Sequence, residues 1–177
     1  MIQAIIEAIL FTSAAPVTVQ QLVEALGEDQ ANEAEVEECL KTLQERWDTA
    51  DSGVRLERVG GGWRCVTLPQ LDAYLRSFHG IASRQRLSQA ALEVLAIVAY
   101  RQPVTLPEIN FIRGVASGGV VRTLLERGLI RVSGRKAVVG KPFLYRTTKE
   151  FLVHFGLESV ADLPEPEDLD HRDPAAG

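Results

Sequence analysis

One pattern occurs twice in this chain, and the repeat constrains its fold more than any other feature. Pro16-Val17-Thr18 closes an apolar helical stretch, and Pro103-Val104-Thr105 closes another. At that offset Ala4, Ile5, Leu10 and Gly27 fall on Ala91, Leu92, Ile97 and Gly114. A second block, Lys41-Thr42-Leu43-Gln44-Glu45-Arg46, lines up with Arg122-Thr123-Leu124-Leu125-Glu126-Arg127. Two copies are too few to stack into a solenoid, so the pattern predicts two small domains of one kind in tandem. A chain of 177 residues that is 46% hydrophobic has enough apolar side chains for two cores. Domains of about 80 residues are small but fold alone.

Local signals divide each copy in the same way. An apolar stripe of Ile2, Ile5, Ile6, Ile9 and Leu10 predicts a helix over 2–12, matched by one over 88–101. Each ends at the proline turn, since proline disfavours helix in the residue before it. Thr18-Val19-Gln20-Gln21 and Thr105-Leu106-Pro107-Glu108 have capping-box spacing and open second helices. Gly27 and Gly114 suit the position just past a helix end. Third helices follow at 33–48 and 117–127, with Leu40, Leu43, Val121, Leu124 and Leu125 facing inward. The period then shortens to that of strands. Residues 54–59 and 63–66 flank Gly60-Gly61-Gly62 as a hairpin. Residues 129–132 and 143–146 flank a loop at 133–140. Short helices at 69–78 and 149–155 close the two copies.

Three helices followed by a two-stranded wing make a winged helix, with helices two and three as a helix-turn-helix pair. The predicted fold is therefore mainly α with small β wings. It has a winged-helix domain at 1–80, a linker at 81–87, a second winged-helix domain at 88–160 and an acidic tail at 161–177. The tail has three prolines, many acids and almost no large apolar residues, which predicts disorder.

Several function classes are disfavoured. His79, His154 and His171 stand apart, and Cys39 and Cys65 have no Cys-x-x-Cys or Cys/His ligand spacing. No catalytic, cofactor or metal residues are assigned. Gly60-Gly61-Gly62 lacks the lysine and following helix of a phosphate loop. Ser117-Gly118-Gly119 opens a helix that has room for an anion, but an ordinary cap explains it better. Two cysteines without a disulfide framework suit a reducing cytoplasm. The apolar N-terminus lacks a basic segment and is interrupted by Glu7, so it reads as a core helix and not as a signal peptide. No membrane partner and no small-molecule substrate are expected.

Charge carries the functional signal. Residues 1–80 hold 6 Lys/Arg against 13 Asp/Glu, a net of −7. Residues 81–157 hold 12 against 4, a net of +8, and residues 158–177 hold 1 against 7. The overall −5 thus hides one strongly basic domain, the electrostatic footprint of nucleic-acid binding. On the second wing Arg131, Arg135, Lys136 and Lys141 are candidates for weak, non-specific DNA contact, and Arg146 adds to that charge. Base reading has little support, because residues 116–120 offer no Arg, Asn or Gln to a groove edge. A surface that meets acidic protein is the favoured alternative.

Three segments resemble the segregation and condensation protein B family, the tandem winged-helix accessory subunits of bacterial condensin. They are residues 87–105, residues 112–115 with 121–130, and Leu144-Tyr145-Arg146-Thr147-Thr148-Lys149-Glu150-Phe151 with 154–157. Asp162-Leu163-Pro164 ends the domain as the family does. Asn110-Phe111 departs from the charged residues usual there, and the wing from Val138 to Arg146 is more basic than the pattern. The resemblance implies a homodimer joined through its first domains. It implies that the chain binds the kleisin, segregation and condensation protein A, and through it a structural-maintenance-of-chromosomes ATPase, in the cytoplasm at the nucleoid. The partner-binding residues are left unassigned. The competing expectation is a winged-helix DNA-binding transcriptional regulator.

Overall fold

The computed structural model describes residues 1–27, 29–49, 51–80 and 86–165. The linker positions 81–85, His171 and the tail from residue 166 lie outside the described residues.

Thr18 and Thr105 set the frame of the two halves. Each side chain accepts a hydrogen bond from the backbone amide three residues on, and the threonine amide in turn donates to the side-chain oxygen of Gln21 or Glu108. This reciprocal pairing satisfies donors that a helix start otherwise leaves open. In the first half α1 (Ile2–Thr12), α2 (Val19–Leu26) and α3 (Glu33–Trp47) precede the hairpin of β1 (Val54–Val59) and β2 (Gly62–Thr67). The predicted closing helix is split into a 3-10 turn at Pro69–Leu71 and α4 (Asp72–His79). In the second half α5 (Gln89–Arg101), β3 (Val104–Thr105), α6 (Leu106–Arg113) and α7 (Gly118–Glu126) precede β4 (Ile130–Arg135) and β5 (Phe143–Thr147). Then α8 (Lys149–Phe155) and a 3-10 turn at Val160–Asp162 complete the described chain.

Each half has its own core. Ile6, Leu10, Leu22, Val36, Leu40, Leu43, Leu56 and Trp63 pack in the first. Val94, Leu95, Val98, Ile109, Val121, Leu124, Ile130 and Phe151 pack in the second. Removing a leucine-sized side chain from water is worth about 1.5–3 kcal/mol, and each half buries at least these eight large apolar groups. Two expected core positions differ. Leu125 is only half-buried, and Ile5 faces outward with 38% of its surface exposed. In both cases neighbours on the same helix already fill the inner face.

The repeat extends into the strand pairing. Val17 exchanges two 2.8 Å backbone hydrogen bonds with Trp63. At the matching place Val104 and Thr105 pair with Tyr145 and Leu144, which adds a third, unpredicted strand in the order β3-β5-β4. In the first hairpin Gly60 and Gly61 both have positive φ, at 60° and 75°, as a two-residue type I′ turn requires. In the second, β4 runs to Arg135 across a bulge between Val132 and Gly134, so the loop begins later than its composition suggests.

The tail expectation needs correcting at its start. Residues 161–164, expected to be without structure, are held in place: Ser159 and Asp162 cap the 3-10 turn, and Leu163 packs on the second core. The Tyr100 hydroxyl donates to the Pro164 carbonyl at 2.7 Å. One half-buried leucine and a satisfied cap offset the ordering entropy of that short stretch. The two halves also touch. The Gly60 amide donates to Leu157 O at 2.9 Å, Arg64 reaches Val153 O, and Arg58 pairs with Glu158 at 2.8 Å.

Candidate functional site

The basic arm of the second half is built on alternation along two strands. Ile130 and Tyr145 turn inward and are buried, which sends Arg131 and Arg146 to the outer face. The register places these two arginines directly opposite each other. Like charges in that arrangement oppose the pairing of their strands. Neither has an ion pair or a side-chain hydrogen bond among the described residues. Beside them lies a cleft of about 590 Å³, which Gln102, Thr147 and Lys149 also line. Gln102 fixes its floor. The carboxamide oxygen accepts from the Thr147 amide at 2.8 Å and from its hydroxyl at 3.0 Å, while the nitrogen donates to Ala99 O.

The other three wing cations are placed differently. Lys136 donates to Glu108 Oε1 at 2.6 Å and so folds its charge onto α6. That hydrogen bond, followed by those from the Thr105 hydroxyl and amide, holds the Glu108 carboxyl far below its ordinary value, at about 2. Arg135 stacks 4.0 Å over the Phe143 ring and donates to Lys141 O at 3.0 Å. Lys141 is exposed at the tip with a left-handed backbone. Of the four sequence candidates, only Arg131 joins an unpaired cluster. The residues that complete the cluster are Arg146 and Lys149, which the candidate set omitted. Spacing along the chain did not single them out, because their proximity to Arg131 depends on strand register.

The helix-turn-helix segment is closed by its own side chains. The Ser117 amide donates to Asn110 Oδ1 at 2.8 Å, and Arg113 donates to the buried Ser117 hydroxyl at 2.9 Å while pairing with Glu93. This occupies the anion position considered at Ser117-Gly118-Gly119. It also gives Asn110, the departure from the family pattern, a structural role. Phe111 beside it is 88% exposed. On α7 Arg122 is committed to Glu126 at 2.9 Å.

Two apolar surfaces stand out. On α1 the residues Ala4, Ile5, Ala8 and Phe11, with Met1 just before the helix, form an exposed stripe opposite the buried Ile6 and Leu10. A helix that is apolar on both faces is one that something covers. On the second half Leu92, Ala96, Tyr100, Phe155, Leu163 and Pro164 line a groove of about 380 Å³. Among the described residues no group of three His, Cys, Asp or Glu side chains is placed to hold a metal. No helix there is long and apolar enough to cross a membrane. Burial pushes the Cys65 thiol up, away from the reactive thiolate.

Comparison with known proteins gives a consistent result. A family model described as segregation and condensation complex subunit ScpB matches residues 4–166. Segregation and condensation protein B of Syntrophotalea carbinolica is 45% identical over 163 residues, which cover 92% of this chain and 81% of that protein. The crystal structure of ScpB from Mycobacterium tuberculosis is 36% identical, covers 88% of this chain and 95% of that one, and has a TM-score of 0.41. A solved dimer of the ScpB N-terminal domain complexed with ScpA peptide is 25% identical, covers 43% of this chain and 91% of that one, and has a TM-score of 0.40.

Proposed function

Because the chain belongs to the segregation and condensation complex subunit ScpB family, we propose that it is the non-enzymatic accessory subunit of a bacterial condensin-like complex. In this reading it is a homodimer that binds the kleisin ScpA, and through it the structural-maintenance-of-chromosomes ATPase, and supports chromosome condensation and partition. It works in the cytoplasm, on the nucleoid. The observation that carries the reading is the reach of the family match, which runs through both copies of the repeat.

Each half is read as a winged helix, since three helices lead into a hairpin in both. Residues 1–80 are assigned to self-association and residues 88–160 to the partner. The outer stripe of α1 supports the first assignment. A symmetric contact between two domains of charge −7 has to centre on apolar surface to overcome like-charge repulsion, and Ile5 and Phe11 supply it. The regulator alternative is less favoured, because α7 opens with Gly118, Gly119 and Val120, which carry no hydrogen-bonding side chain for a base edge.

Light scattering on the full chain should give twice the monomer mass, and the double substitution Ile5→Asp/Phe11→Asp should halve it. Co-expressed ScpA should co-elute with the wild-type chain. A chain that stays monomeric at tens of micromolar and elutes apart from ScpA sinks the proposal.

A further inference from the structure

Among the described residues eight cations pair with a carboxylate, Arg55 with Glu57 being one of them. Arg46 pairs with Glu7, Arg58 with Glu158, Arg64 with Glu57, Arg76 with Asp72, Arg113 with Glu93, Arg122 with Glu126 and Lys136 with Glu108. Arg131 and Arg146, by contrast, sit face to face across the β4–β5 ladder with no acid partner among the described residues, and Lys149 lines the same cleft with none either. We infer that the Arg131–Arg146–Lys149 cleft, and not Arg135 or Lys136, binds the phosphodiester backbone of duplex DNA.

Three features support this occupant. First, the juxtaposition costs the isolated arm stability, and an anion laid across both guanidinium groups turns that repulsion into attraction. Second, the cleft is preformed. Gln102 ties the end of β5 to α5 through both polar groups of Thr147, so little ordering entropy is lost when a ligand arrives. Third, its lining suits a backbone better than a peptide. Apart from Leu152 and Val160 it is made of Gln102, threonines and basic residues. A peptide takes its affinity from an apolar or aromatic anchor seated in a pocket, whereas a polyanion is held by charge alone. No α7 residue lines the cleft, and the first turn of α7, Gly118 to Val121, has no hydrogen-bonding side chain, so the contact is independent of sequence. Arg135 and Lys136, already engaged with Phe143 and Glu108, add little to it. This assignment stands on the arm itself and does not depend on kleisin binding.

The test uses the full chain and a fluorescent 30-base-pair duplex of mixed sequence, read by anisotropy at low and moderate salt. Each phosphate contact contributes a slope of about 0.9, so two contacts are worth about 12-fold in affinity between 50 and 200 mM salt. Arg131→Gln/Arg146→Gln should therefore bind more weakly at 50 mM and lose about 12-fold less affinity than the wild type over that range. The single change Arg146→Gln should lose about half of that slope, which keeps the test open if the double variant folds poorly. Lys136→Gln should stay within about twofold of the wild type, its charge being already neutralised. ScpA co-elution should persist in the double variant. The inference is overturned if the arginine variants match the wild type, or if Lys136→Gln weakens binding as much as they do. It is also overturned if the wild type binds a polyglutamate peptide but no duplex, or if the double variant loses ScpA together with DNA.

Discussion

Two glycine-to-alanine substitutions, one in each half, should move stability in opposite directions. Gly62 is buried where β2 passes under the proline turn, and a Cβ built there would lie 2.9 Å from Val17 O and 3.2 Å from the Pro16 carbonyl carbon. Both neighbours are backbone, so the turn has to move. The movement breaks or stretches the two Val17–Trp63 hydrogen bonds, each 2.8 Å long. At about 1 kcal/mol each the loss is about 2 kcal/mol, before any strain. Alanine recovers about 0.4–1 kcal/mol by restricting the unfolded chain, so Gly62→Ala should cost about 1–2 kcal/mol net. Gly119 lies in the first turn of α7 with nothing within 4 Å of a built Cβ and without a positive φ. There the same substitution should stabilise by about 0.5–1 kcal/mol. Both tryptophans, Trp47 and Trp63, belong to the first half, so urea titration followed by tryptophan fluorescence reads that half alone. Far-UV circular dichroism follows both. A Gly62→Ala chain as stable as the wild type, or a destabilised Gly119→Ala chain, refutes the close-approach reasoning.

Two further outcomes follow from the cores and the arm. Leu40→Ala empties a fully buried site and should cost the first half about 2–5 kcal/mol. The second half has a separate core, so the fluorescence transition should shift while the remaining dichroism transition stays in place. Glu108 has a folded value below its ordinary 4.5, so its contribution is present above that pH and is lost as pH falls toward 2. Glu108→Gln should therefore be less stable than the wild type at pH 7, and the gap should narrow in urea titrations near pH 3. A gap that does not change with pH rules out the Lys136 and Thr105 bonds as its cause.

Much of this architecture was legible in residue order because its signals are local. Thr18 with Gln21 and Thr105 with Glu108 close their capping boxes within three residues. The Gly60-Gly61 turn and the Pro-Val-Thr spacing work over the same short range. Such features constrain backbone dihedrals whatever the rest of the chain does, so they can be read before any packing is known. Separate cores for the two copies follow from the repeat itself.

What the tertiary structure decided depends on distance along the chain. Lys136 meets Glu108 and Gln102 meets Thr147 across 28 and 45 residues. Whether Arg131 faces Arg146 depends on strand register, where a slip of one residue sends a side chain to the opposite face. The bulge between Val132 and Gly134 changes that alternation within β4, and no local composition rule locates it. Composition alone therefore identified a basic domain and spread its charge over the whole wing. The fold sorted those cations into paired and unpaired, because partner choice is a matter of three-dimensional proximity and like charges remain together only where the surrounding backbone holds them.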